Sequence, residues 1–451
     1  MKIIYVASGA AGMYCGMCLH DNTLAAAMLA LGEDVLLTPT YTPLRTDEEN
    51  VSKQPPIRYG GINVFLQQKS ALFRHTPWFV DKLFDSPALL NWVSRFSSSV
   101  QAEKLGPLTV SMLEGNDGKQ RKELTKLIHW MKTEKPDVVH LSSALLVGMA
   151  GPLRAALKVP IVCSLSGEDI FLEKLIPPYY ERARELLRRK GADVDAYTAL
   201  NRYYADFMID YMDLDPARVH VIPHGLKLEG HVLRDEPRSD APVTIGFFAR
   251  ICYEKGLHLL AEAFRLLQER RDLPPLRLVA AGYLGGADKP YLAKIKGQFQ
   301  AWGLADKFRY AGEPDRDEKI RILHSFDVMS VPAVYRESKG LSILEALANG
   351  VPVVQPAHGS YPEIIADTGG GILHEPENPR DLADKLAELI RDRSRLRELG
   401  KRGHAAIHDR YDDRRMARRT IELYRSLFAR RGGKQSSGAD GTVVFSDRTL
   451  Q

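Results

Sequence analysis

The stretch Val334-Tyr-Arg-Glu337-Ser-Lys-Gly340-Leu-Ser-Ile-Leu-Glu345-Ala-Leu-Ala-Asn-Gly350 places two carboxylates eight positions apart across a predicted loop-to-helix junction. Just before it, Asp327-Val-Met-Ser-Val-Pro332 reads as a strand that runs into the loop holding Glu337. Gly340 opens the helix. Leu341, Leu344 and Ala348 then fall at the i, i+3, i+7 spacing of a core-facing stripe, and Gly350 takes the closing position. The first amides of such a helix have no partner inside it, and the positive end of the macrodipole stands behind them. Gly340, Leu341 and Ser342 therefore form a predicted seat for a phosphate group. Two glutamates alone would read as solvated surface; set in this order, Glu337 and Glu345 read as an active-site core.

Working outward, Val351-Pro-Val-Val354 is a further strand, followed by Gly359-Ser-Tyr-Pro-Glu363-Ile-Ile and Gly369-Gly-Gly-Ile-Leu-His374. Upstream, Val243-Thr-Ile-Gly-Phe-Phe-Ala-Arg250-Ile-Cys-Tyr-Glu-Lys255-Gly256 reads as a strand, a loop and the start of a helix reaching about Arg270. Arg250 and Lys255 bracket that loop, so both cations can reach an anion at the sheet edge. Leu276-Arg-Leu-Val-Ala-Ala-Gly282 and Phe308-Arg-Tyr-Ala-Gly312-Glu313 supply two more strands.

This half of the chain resembles the family-4 retaining glycosyltransferases, on the E-x7-E signature of Glu337 and Glu345, the run through His374, and Arg-x4-Lys-Gly at Arg250 to Gly256. The resemblance extends from Lys2 to about Phe428. It implies an α/β GT-B fold: two Rossmann-like, doubly wound domains facing across a cleft, with a C-terminal helix at 412–430 crossing back to the first domain. It also implies roles. Glu345 takes the ribose hydroxyls of a nucleotide-diphosphate sugar, Glu337 holds the sugar hydroxyls, and the base lies beside Gly312 and Glu313. Arg250 and Lys255 stabilise the diphosphate, which leaves with growing negative charge and, in this family, without a metal. The expected reaction is transfer of the sugar, with retention, from a UDP-, GDP- or ADP-linked donor to a hydroxyl on a saccharide, lipid or small molecule. No cofactor is expected, since the nucleotide sugar is a substrate. Two rivals remain: a GT-B nucleotide-sugar epimerase, and a non-catalytic pseudo-transferase that binds the nucleotide sugar as a regulator. The latter is expected to lose Arg250, Lys255 or Glu337, and all three are present.

The N-terminal half has the same rhythm. Lys2–Ala7 reads as a strand, Ser8-Gly-Ala-Ala-Gly12-Met-Tyr-Cys-Gly16 as a loop, about Asp21–Leu31 as a helix, and Asp34-Val-Leu-Leu-Thr-Pro as a second strand, the opening of a doubly wound domain. Gly12 permits close backbone approach to a ligand. The loop departs from the family's Gly-Gly by its length and its Cys-Gly-Met-Cys. Pro160-Ile-Val-Cys-Ser-Leu-Ser166-Gly167-Glu168-Asp169 ends a strand at the carboxyl edge, making Ser166, Glu168 and Asp169 candidates for orienting an acceptor. Ser166 stands where many family members have His, and His224 in Ile-Pro-His224-Gly225 where the family has Asn. Segments 72–84 and 87–96 are aromatic and mildly basic, and read as amphipathic helices packed on the sheet or as a peripheral membrane or acceptor surface. The expected division is residues 1–225, a hinge at 226–242, residues 243–411, and a disordered tail at 431–451.

At 451 residues the chain is long for one core and suits two domains. Lys+Arg 62 against Asp+Glu 57 is a mild cationic excess that suits anionic substrates but is too weak to argue for nucleic acid, and no nucleic-acid partner is expected. The first residues hold no signal-peptide core and no run reaches a membrane span, so a cytoplasmic location is expected. Four cysteines are too few for a disulfide framework. Cys15, Cys18 and Cys252 map to carboxyl edges of strands. They read either as cleft-lining thiols, with Cys252 made reactive by its neighbouring cations, or as small buried residues. A lone C-x-x-C does not make a metal site, and none is expected.

Overall fold

The computed structural model describes residues 1–9, 16–40, 44–52, 59, 61–76, 102–234 and 242–436. The first sheet contains β1 (Lys2–Ala7), β2 (Asp34–Pro39), β3 (Val138–Leu141), β4 (Ile161–Leu165), β5 (Ala196–Ala199) and β6 (Val219–Val221). They run parallel in the order β2-β1-β3-β4-β5-β6. The second contains β7 (Val243–Phe248), β8 (Leu276–Ala281), β9 (Phe308–Tyr310), β10 (Val328–Met329), β11 (Val353–Pro356) and β12 (Gly371–His374). These are parallel in the order β12-β11-β10-β7-β8-β9. Helices cover both faces, so the strands are near-continuous apolar runs: every residue of β1 but Lys2 is buried, and all of β4 is. The architecture is α/β and GT-B, two doubly wound sheets.

In each sheet the strand order reverses once, between β1 and β3 and between β7 and β10. At such a point neighbouring connections leave in opposite directions and open a crevice beyond the carboxyl ends of the strands. That puts the loops after β1, β3, β7 and β10 where a ligand would sit.

The chain passes between the sheets twice, side by side. Leu226 N donates to Tyr411 O at 2.7 Å and Asp413 N to Leu226 O at 3.0 Å. Beyond that crossing, helix Asp413–Ser436 packs on helix Gly16–Ala30. Its Met416, Ala417, Ile421 and Tyr424 join Ile3, Tyr5, Leu24 and Met28 in one buried cluster. The first domain's core is thus completed by the far end of the chain. Tyr424 also bonds His140 Nδ1 on β3, while His140 Nε2 meets Ser164 Oγ on β4 at 2.7 Å. The helix runs to Ser436, beyond the 430 expected from sequence, and residues 437–451 lie outside the described residues.

Residues 226–234 of the expected hinge carry contacts to the second half of the chain. His231 is buried and bonds Asn349 Nδ2 at 2.9 Å, and Arg234 pairs with Asp327 at 2.9 Å, so the segment lies on the second domain. Of the aromatic stretch only Leu72–Thr76 is described; it holds the short helix Leu72–His75, and residues 77–96 lie outside the described residues. No helix among the described residues is long and apolar enough to cross a membrane.

Candidate active site

The helix read from sequence spans Leu341–Ala348. Gly340 enters it at φ 67°, and a Cβ there would stand 2.4 Å from Ile364 Cδ1, so both backbone and space require glycine. Ile343, Leu344, Ala346, Leu347 and Ala348 are buried beneath it. Leu341, expected in the core stripe, is half-buried instead: its Cδ2 lies 3.5 Å from where a Cβ on Gly16 would be. The first residue of helix Gly16–Ala30 thereby meets the first residue of helix Leu341–Ala348, and two helix N-termini from different domains converge. Gly12 and Cys15 lie outside the described residues.

Glu337 is buried on the loop after β10 and accepts from Lys255 Nζ at 2.5 Å, Tyr335 Oη at 2.9 Å and Lys339 N at 3.2 Å. Lys255 arrives from the loop after β7, and Gly256 behind it stands at φ 75° with no room for a Cβ, which would fall 1.8 Å from Pro332 O. Burial pushes the Glu337 carboxyl up, but Lys255 outweighs it and the group is held at about 2. Burial works against the Lys255 charge, and Glu337 more than restores it. Both groups are therefore ionised at neutral pH, and Glu337 can accept hydrogen bonds but has no proton to give. Arg250, on the same loop, is exposed, with the Cys252 side chain among the groups that act on its charge.

Glu345 is buried on the inner side of its helix, and Lys319 Nζ donates to its Oε1 at 2.6 Å. The same ammonium pairs with Asp47 of the first domain. Nearby, Gly312 turns at φ 88° and the exposed Glu313 pairs with Arg45 at 2.8 Å, a second link between domains. Sequence reasoning missed Lys319 and Asp47. A signal existed for the first: on helix Arg316–His324, Lys319 shares the buried stripe with Ile322 and Leu323, and a charge on such a stripe demands a buried partner. Nothing local pointed to Asp47.

On the loop after β4, Glu168 Oε1 accepts from Ser143 Oγ at 3.0 Å and Ala144 N at 2.9 Å, and its Oε2 accepts from Ser166 N at 2.8 Å with Tyr204 Oη 3.1 Å away. Its oxygens thus tie together the loops after β3 and β4. Asp169 accepts from Tyr204 Oη at 2.7 Å, and burial raises its carboxyl. Ser166 is half-buried; its carbonyl takes the Lys339 ammonium, which ties this loop to the loop holding Glu337. Asn201 Nδ2 adds a bond to Ser338 O at 2.6 Å, and Glu363 accepts from Arg202 N and Tyr203 N, both at 2.8 Å. Beside Lys339, His20 Nδ1 and His224 Nδ1 lie 3.3 Å apart in the core. Burial and then Lys339 lower His20 to about 4, so it is neutral at pH 7.

The cysteines are the bland alternative. Cys18 and Cys252 are 1% and 2% exposed, and burial raises the Cys252 thiol against the opposing pull of Arg250, the reverse of a cation-activated thiol. Brief iodoacetamide treatment of the native chain is expected to leave Cys18, Cys163 and Cys252 unmodified while the unfolded chain reacts fully. Fast native labelling of Cys252, slowed by UDP, would restore the cleft-lining reading.

Two domains of this topology with convergent helix N-termini define a GT-B protein. Residues 233–406 match the model of glycosyl transferases group 1 and residues 105–229 that of glycosyltransferase family 4; the chain belongs to this family of glycosyltransferases. It is 32% identical over 228 residues to a D-inositol 3-phosphate glycosyltransferase of Corynebacterium urealyticum, covering 48% of this chain and 53% of that protein. It is 31% identical over 245 residues to an alpha-maltose-1-phosphate synthase of Mycolicibacterium smegmatis, covering 50% and 61%. The chain thus spans about half the length of the first of these curated relatives. The fold is similar to that of the Anabaena protein Alr3699/HepE solved with UDP, at TM-score 0.63 and 17% identity, covering 95% of this chain and 100% of that one.

Proposed function

We propose that the chain transfers a sugar, with retention and without a metal, from a nucleotide-diphosphate sugar to a hydroxyl acceptor. The observation that carries this reading is the ionised Glu337–Lys255 pair, 2.5 Å apart beside the N-terminus of helix Leu341–Ala348. A diphosphate seated on that helix start would meet the free amides and the dipole's positive end, with Lys255 and Arg250 as its cations. Glu337, lacking a proton, accepts the sugar's hydroxyls and orients the anomeric carbon. As the sugar–phosphate bond breaks, charge grows on the leaving oxygen and the two cations stabilise it. In the proposed step the acceptor hydroxyl attacks from the leaving group's side and passes its proton to that departing oxygen, so no covalent intermediate is invoked. Glu345 would take the ribose, and the first domain's loops the acceptor.

UDP is the first nucleotide to try, because a protein of similar fold was solved with it. Inositol 3-phosphate is the first acceptor, because a relative is named for it. Thermal melting with UDP-, GDP- and ADP-glucose should single out one donor, since a ligand at a hundred times its Kd stabilises by about 2.7 kcal/mol. Turnover with that donor should survive EDTA and give an α-linked product by NMR. Activity lost to EDTA and restored by Mg²⁺ or Mn²⁺, or a β-linked product, would overturn the corresponding part of the reading.

A further inference from the structure

Lys319 is 3% exposed, and its ammonium joins carboxylates from both domains: Glu345 Oε1 at 2.6 Å and Asp47 Oδ2 on the segment after β2. A buried ammonium persists only when paired and hydrogen-bonded. The other charged groups around the triad are few. Arg316, on the same helix as Lys319, lies 3.7 Å from Glu48 and donates to the carbonyls of Lys227 and Glu229. Glu48 also accepts from Thr23 Oγ1 at 2.8 Å. His231, on the segment crossing between domains, is lowered to about 3 by burial and then by Lys319 and Arg316, and so adds no charge.

We propose that Lys319 is a positioning residue for Glu345, and that Asp47 is its counter-charge delivered by the other domain. The carboxylate that receives the ribose is then held ionised and correctly turned only when segment 44–52 is docked. The inference rests on the reading of Glu345 as the ribose ligand.

The physical argument concerns hydrogen-bond capacity. An ammonium has three protons. Facing Glu345 alone, Lys319 would close a tight pair and compete with the ribose hydroxyls for the carboxylate. Asp47 takes part of that capacity, so Glu345 keeps acceptor sites for a ligand while staying charged. Without the cation, two buried carboxylates would face each other, and one would hold a proton at neutral pH. Burial already pushes the Glu345 carboxyl up and Asp47 adds to the push, while Lys319 opposes it. Segment 44–52 also meets the second domain through Arg45 with Glu313 and Glu48 with Arg316, so donor binding and domain docking share one surface.

The test is calorimetric binding of whichever of UDP, GDP and ADP the unmodified chain binds most tightly, from about pH 5.5 to 8. Each variant is read as a ratio to the unmodified chain, which cancels titration of the nucleotide's own phosphate. In Lys319→Gln the ratio should worsen as pH falls, approaching tenfold per pH unit, because Glu345 must first lose a proton to accept the ribose. Lys319→Arg should keep a flat ratio. Adding Asp47→Asn to Lys319→Gln removes the second carboxylate and should give an intermediate slope. That double variant buries no like-charged pair and carries the test if Lys319→Gln does not fold. A flat ratio in both Gln variants, whatever their melting temperatures, would reduce Lys319 to a structural lysine and overturn the proposal. Glu345→Gln binding nucleotide as tightly as the unmodified chain would instead remove the ribose reading itself, and this inference with it.

Discussion

Lys255→Ala and Arg250→Ala are each expected to lower kcat/KM by about a hundredfold or more, the scale seen when one preorganised charge stabiliser is removed from a reaction that develops negative charge. The two should differ in a second readout. Lys255 is the partner of the buried Glu337, so its loss leaves an uncompensated carboxylate and should also destabilise the fold, by about 3–5 kcal/mol where a buried pair loses one member. Arg250 is exposed and, among the described residues, pairs with no buried carboxylate, so its removal should leave melting nearly unchanged. Steady-state kinetics and thermal melting on both variants decide the matter. A Lys255→Ala enzyme within a few-fold of full activity would remove the diphosphate role. Equal melting losses in both variants would contradict the geometry.

Glu345→Gln should weaken free nucleoside diphosphate by roughly ten- to a hundredfold, since hydrogen bonds to charged groups contribute about 1.5–3 kcal/mol and an amide accepts more weakly. Its fold should survive, because Lys319 keeps Asp47 as a partner. Glu337→Gln should leave that binding nearly intact and depress kcat, because its expected partner is the sugar rather than the nucleotide. Titration of both variants with UDP, and separately with UDP-glucose, separates the roles. Equal Kd losses for the free nucleotide in both would rule out the division of labour.

Much of the second domain was legible because its signals are local. Strand, loop and helix from Asp327 to Gly350 announce themselves by apolar spacing and by glycine at Gly340 and Gly350, where φ is positive. The proposed phosphate seat follows from a helix start, which depends on residues adjacent in sequence. Glu337 and Lys255 were both chosen from sequence, but that they form one buried ion pair was not visible, since the loops after β7 and β10 become neighbours only because those strands adjoin in the sheet. The surroundings of Glu168 were hidden for a related reason. An acidic residue at a carboxyl edge reads as ligand-facing, and only the positions of Ser143, Ala144 and Tyr204 reveal that its oxygens are already taken.

The sequence by itself determined the family, through its resemblance to the family's motifs, and the two-fold repetition of strand and helix, because periodicity and helix starts are set by near neighbours along the chain. The tertiary structure alone decided what joins the two halves: Asp47 to Lys319, Lys339 to Ser166, Asn201 to Ser338 and Tyr424 to His140. Such partners are far apart in sequence, and each side chain taken alone looks like an ordinary polar residue. Their pairing follows from burial, which makes an unpartnered polar group costly and so favours a partner wherever the packed domains bring one within reach.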